Sequence, residues 1–131
     1  MPVRPLSPHL SVYKMSRYSL ATSILNRFAG AGLSVGLVLL VYWLMSVAGG
    51  AGSQARAAQL LSLPVMKLVY GGGIAAFCYH LVAGIRHLVW DTGRGLERSQ
   101  SQKSAYLVVA VSIALTLLVG YCAFLLRGRA P

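Results

Sequence analysis

The residues with the most chemical potential fall in one stretch, Tyr79-His80-Leu81-Val82-Ala83-Gly84-Ile85-Arg86-His87-Leu88-Val89-Trp90-Asp91. His80 is embedded in an apolar run, ten residues from both Tyr70 and Trp90. At about 100° per residue, Gly73, Ala76, His80, Ala83, Gly84 and His87 fall on one helical stripe. Residues with little or no side chain thus flank the histidine above and below, leaving room for something wide and flat. Three readings stay open. The small residues can permit close helix packing, with His80 bonded across to another helix. His80 can instead give its imidazole to a haem iron while the glycines clear the macrocycle. A proton or ion pathway is the third. His80 and His87 lie on one face about 10 Å apart along the axis, so one straight helix cannot supply both ligands to one iron. A six-coordinate haem would therefore take its other ligand from another chain, since His9 sits in a Pro-flanked arm. Arg86 and His87, one to two turns below His80, stand where haem propionates would point, and His87 and Asp91 are i, i+4 neighbours. The alternative is that these are interface charges, with Asp91 closing the helix.

A second cluster is Thr22-Ser23-Ile24-Leu25-Asn26-Arg27. On a helix that begins by Ser23, Ser23 and Arg27 share a face, and hydroxyl plus guanidinium offer donors to a carbonyl or an acid group. A helix cap with a basic interfacial anchor accounts for the same residues. Gly32-x-x-x-Gly36 is a helix-packing pattern.

The elements that must position these groups follow from composition. The chain has 131 residues, 12 Lys+Arg against 2 Asp+Glu, 56% hydrophobic residues and only 11% charged ones. Soluble domains carry roughly 25% charged residues, so an ordinary soluble enzyme is excluded, and the hydrophobicity excludes disorder. A net charge of +10 alone fits nucleic acid, but long uncharged runs do not. Phe28–Ala48 and Ala105–Leu126 carry no charge, and Leu68–Ile85 has only a histidine, a cysteine and tyrosines as ionisable groups. Each can cross a ~30 Å hydrocarbon core as a helix, and three spans cannot close a barrel. The expected fold is all-α and integral to the membrane. A single anchor domain comprises an N-terminal arm 1–22 and transmembrane helices at about 23–48, 63–91 and 104–126. The Gly/Ala-rich first loop reads as a small-residue connector, and Cys78 and Cys122 as small buried hydrophobes. The Pro-interrupted first 20 residues do not read as a signal peptide. Arg4, Lys14, Arg17, Arg27, Arg94, Arg98 and Lys103 fall on one side, against Arg56, Arg127 and Arg129 on the other. The N-terminus is therefore expected in the cytoplasm and the C-terminus outside.

Three segments carry a family resemblance: Arg4-Pro5-Leu6-Ser7-Pro8-His9-Leu10, Ser23-Ile24-Leu25-Asn26-Arg27, and His80-x-x-x-Gly84-Ile85-Arg86-His87-Leu88-x-Trp90-Asp91-x-Gly93. Together they resemble the cytochrome b556 subunit, the large membrane anchor, of succinate dehydrogenase. The resemblance implies that His80 is an axial ligand to a haem b shared with a second membrane-anchor subunit, which supplies the other histidine. It implies that Ser23 and Arg27 bind the quinone, ubiquinone or menaquinone, beside an iron–sulfur subunit. Arg27, Arg86 and His87 would lie toward the haem, in a heterodimeric haem-binding bundle. A flavoprotein subunit and a bacterial-type inner membrane complete the implied setting, with no nucleic acid. The implied function is anchoring a succinate:quinone oxidoreductase and helping to form its quinone-reduction site. A haem-free or fumarate-reductase-type anchor is the alternative. Asn26 stands where the family usually has histidine, and Ala29 where it usually has serine or threonine.

Overall fold

The computed structural model describes residues 17–127; the Arg4–Leu10 motif and His9 lie outside them. Four helices follow in order: α1 (Arg17–Ala48), α2 (Ala51–Leu61), α3 (Pro64–Asp91) and α4 (Arg98–Arg127). Three are long and apolar enough to cross a membrane, over Leu20–Ala48, Pro64–Asp91 and Arg98–Leu126. α1 begins at Arg17 and α4 at Arg98, six residues before the expected 23 and 104. Uncharged runs locate the hydrocarbon, but a helix extends past it wherever good helix formers continue into the interface.

The first loop is also more ordered than a plain connector. Gly50 takes φ +83°, which breaks α1 from α2. Ala-Gly-Ser-Gln-Ala-Arg-Ala-Ala-Gln then forms α2 together with two leucines, and it buries Ala57 while packing on α1. Alanine, glutamine and arginine are strong helix formers, so a segment of small residues folds once one face is covered. Pro64 opens α3 at a position where its missing N–H is harmless. α3 ends at Asp91, where Thr92 caps the helix and Gly93 and Gly95 adopt positive φ. Trp90 Nε1–H donates to Gly95 O at 3.1 Å, folding the chain back toward α4.

α3 is the centre of the bundle, packing on both α1 and α4, which touch each other less. The buried apolar residues of the described chain are mostly small: Ala29, Ala57, Cys78, Ala83 and Ala105, joined by Met66 and Val108. Small residues let helix backbones approach closely where lipid removes the hydrophobic drive. Cys122, by contrast, is exposed on α4, so only Cys78 is the buried small hydrophobe expected. Leu37, Val38, Leu68, Leu117 and Phe124 are among many large apolar side chains facing outward. Gly32 and Gly36 have nothing within 4 Å of where a Cβ would stand, so this pattern packs against no other part of the described chain.

Candidate functional site

The chemistry gathers along the contact of α1 with α3. His80, half-buried on α3, reaches α1, and its Nδ1 lies 3.3 Å from Asn26 O. A carbonyl can only accept, so Nδ1 carries the proton and Nε2 keeps its lone pair. Nε2 has no hydrogen-bond partner among the described residues. The ring lies against Gly30, where a Cβ would stand 3.2 Å from His80 Cε1. The two readings of the small-residue stripe thus coexist: the helices pack closely through His80, and one ring nitrogen is left over. The stripe itself divides. Ala83 is buried in the bundle, whereas Gly73 and Gly84 have nothing within 4 Å of a Cβ position.

The neighbouring side chains brace this contact. Tyr79 donates its hydroxyl to Thr22 O at 3.0 Å, one turn before Asn26 on the same helix. Arg86 is 8% exposed, and its donors are taken up inside the chain. Nε–H bonds Ser104 Oγ at 2.9 Å, and Nη2–H bonds Ser101 O at 2.8 Å and Ser101 Oγ at 3.3 Å. Nη1–H reaches Thr22 Oγ1 at 3.4 Å. The guanidinium also stacks 3.9 Å over the Trp90 ring. One side chain therefore ties α1, α3 and α4 together at one end of the bundle. Its neighbour His87 is exposed, donates Nδ1–H to Ala83 O at 2.7 Å, and meets Trp90 edge-on. That bond replaces the His87–Asp91 pair suggested by their spacing, and Asp91 is exposed.

Ser23 and Arg27 are both exposed on α1, with no hydrogen-bond partner among the described residues. Their donors are not taken up by any of the described residues. Between them, Asn26 Oδ1 is buried and has no partner among the described residues. Such an orphan calls for a donor from outside the described residues. Ala29 is buried, so the absence of a hydroxyl there leaves no polar group to satisfy.

An apolar recess of about 280 Å³ opens between α1, α3 and α4, lined in part by Leu25, Tyr79, Ser112 and Thr116. Its hydroxyls are already committed: Tyr79 to Thr22 O, Ser112 to Val108 O and Thr116 to Ser112 O. It offers apolar walls rather than a polar anchor. No group of three or more His, Cys, Asp or Glu gathers among the described residues.

The sequence singles out His80, Ser23 and Arg27 as candidates but not Gly30, and it offers no bonding role for Tyr79 or Thr22. Their roles come from contacts between residues fifty or more positions apart, as in the Tyr79–Thr22 bond.

Comparison with known proteins gives this arrangement a context. Residues 2–119 match the model of the succinate dehydrogenase/fumarate reductase transmembrane subunit family. The chain is 39% identical over 115 residues to the succinate dehydrogenase cytochrome b556 subunit of Paracoccus denitrificans, covering 88% of each chain. It is 37% identical over 116 residues to the protein of the same name from Rickettsia prowazekii, covering 88% of this chain and 90% of that one. The mitochondrial cytochrome b560 subunit of Bos taurus is 36% identical over 113 residues, covering 84% of this chain and 66% of that one.

Proposed function

Because the chain belongs to the succinate dehydrogenase/fumarate reductase transmembrane subunit family, we propose that it is the cytochrome b anchor of a succinate:quinone oxidoreductase. In this reading it helps to bind haem b and to build the quinone-reduction site. The observation that carries the haem assignment is His80, whose Nδ1–H is held by Asn26 O while Nε2 remains unbonded among the described residues. That is the state in which a neutral imidazole ligates iron.

The residues present fit the group. His80 supplies one nitrogen donor, and the open Gly73 and Gly84 leave its surroundings clear on α3. His80 and His87 lie on one face, so His87 could not hold the same iron, and in this reading a partner anchor subunit would supply the other ligand. When bound, haem b supplies a one-electron redox centre whose potential depends on its axial ligands and their hydrogen bonds. His87 Nε2, left outward by the Ala83 bond, and Arg27 are the groups of this chain available to propionates. Arg86, expected to share that task, has Nε and Nη2 occupied by Ser104 and Ser101 of α4 and reaches α1 through Thr22 Oγ1.

Ser23 and Arg27 are assigned to the quinone. Ser23 Oγ–H and the Arg27 guanidinium can both donate to a quinone carbonyl. The fixed positive charge favours the negative charge that builds on that oxygen as electrons arrive. The electrons originate from succinate in the flavoprotein subunit and arrive through the iron–sulfur subunit. Protons come from the aqueous phase at the interface, so no acidic relay through the spans is needed. The excess of Lys and Arg at that end supports a cytoplasmic orientation for it, in a bacterial-type inner membrane in this reading.

Quinone reduction and dye reduction by the same purified complex separate these roles. Ser23→Ala is expected to raise KM for quinone roughly tenfold, the worth of about one hydrogen bond. Arg27→Ala is expected to lower kcat for quinone about 10²-fold, in the range for lost charge stabilisation at a developing anion. Succinate oxidation with a soluble dye, which needs no membrane site, should persist in both. Parental quinone kinetics in both variants would remove these residues from the quinone site.

A further inference from the structure

We infer that Gly30 is a positioning residue for His80: its missing side chain exposes the Asn26 carbonyl that fixes the imidazole. This inference rests on the assignment of His80 as a haem ligand. Within α1 the N–H of Gly30 bonds Asn26 O, because helical bonds run from residue i to i−4. The second lone pair of that carbonyl is met by His80 across the space that Gly30 leaves open. His80 Nδ1 takes it at 3.3 Å. A Cβ on Gly30 would stand 3.2 Å from Cε1 and 3.6 Å from Nδ1 of the same ring, over the contact itself. Tyr79, next to His80, bonds Thr22 O at 3.0 Å. Adjacent side chains of α3 therefore grip two successive carbonyls on one row of α1. Gly32 and Gly36 have open space around them, so close approach is particular to Gly30 among these glycines.

The consequence is chemical as well as steric. A ligating imidazole that donates its remote N–H to a carbonyl has its tautomer and ring plane fixed and becomes a more basic ligand. Asn26 lies between Ser23 and Arg27, so the helix that presents the quinone-site donors also orients the haem ligand.

The test uses the purified complex of this chain with its partner subunits. Gly30→Ala is compared with Gly32→Ala, which changes helix propensity equally but meets no other part of the described chain. Gly30→Ala should retain haem while shifting its midpoint potential and the low-spin EPR g values; Gly32→Ala should leave both at parental values. A Gly30→Ala complex with parental potential and g values, or one that does not assemble, would overturn the inference. A second measurement does not depend on that variant. In His80→Gly, the vacated ligand position is titrated with imidazole and with 1-methylimidazole, which has no second N–H to donate. Imidazole should bind the haem roughly three- to tenfold more tightly, as one neutral hydrogen bond predicts. Equal binding would mean that Asn26 O does not hold the ring. If His80→Gly keeps the full parental haem spectrum without added ligand, the haem assignment itself fails, which is a separate result.

Discussion

Replacing His80 with alanine should abolish the b-type band in the dithionite-reduced minus oxidised spectrum of the purified complex, or replace it with a weaker, displaced one. In the proposed reading the substitution removes this chain's nitrogen donor to the iron, and among the described residues the one other histidine cannot take its place. His87 lies two turns away on the same helix with its Nδ1–H tied to Ala83 O. Loss of an outer-shell partner typically weakens metal binding about 10- to 100-fold, and loss of the ligand itself should exceed that. The bundle should nonetheless assemble. The lost Asn26 O contact is a long one at 3.3 Å, and Tyr79 still bonds Thr22 O beside it. Succinate–dye reduction therefore serves as the assembly control. A His80→Ala complex with an unchanged spectrum would remove His80 from the haem site. A parent with no haem at all would leave a haem-free anchor whose remaining chemistry is Ser23 and Arg27.

Arg86→Ala should have the second largest effect, and it acts on assembly. The guanidinium is buried, bonds groups on α1 and α4, and stacks on Trp90. Removing it leaves Ser101 O and Ser104 Oγ without these donors and opens a void between three helices. Hydrogen bonds to charged groups contribute about 1.5–3 kcal/mol each, so a net loss of about 2–4 kcal/mol is reasonable after relaxation. Arg86→Lys should rescue little, because an ammonium cannot span Ser104, Ser101 and Thr22 with a planar fork. The temperature at which the detergent-solubilised complex loses its subunits should fall in both variants. Because Thr22 precedes Ser23, KM for quinone should rise as well, through displacement of α1. Parental thermal stability in Arg86→Ala would show that the network is replaceable by lipid or a partner subunit. A stability loss without any change in quinone KM would confine Arg86 to packing.

The fold was legible because lipid leaves the backbone few choices. Uncharged runs of membrane length must be helical, and Phe28–Ala48, Leu68–Ile85 and Ala105–Leu126 all fall within α1, α3 and α4. Helix ends were less legible, since α1 and α4 extend through charged residues that the uncharged-run criterion excludes. The first loop misled for a related reason: alanine and glycine read as slack, yet Ala57 needed only one neighbouring surface to make α2 worth forming.

The sequence by itself determined the helical class, the family and the side chains with chemical capacity. His80 stands out because an ionisable group in a membrane span is costly, and Ser23 with Arg27 because helical periodicity puts them on one face. Tertiary structure alone decided what each does with its hydrogen-bonding groups. It turned Arg86 inward as a clamp, because the hydroxyls of α4 and Thr22 converge on it. It left Ser23 and Arg27 outward, and it made Gly30 the gap through which His80 meets α1. Periodicity assigns a residue to a face; which atoms lie across from that face depends on how the helices cross, and local sequence carries no record of it.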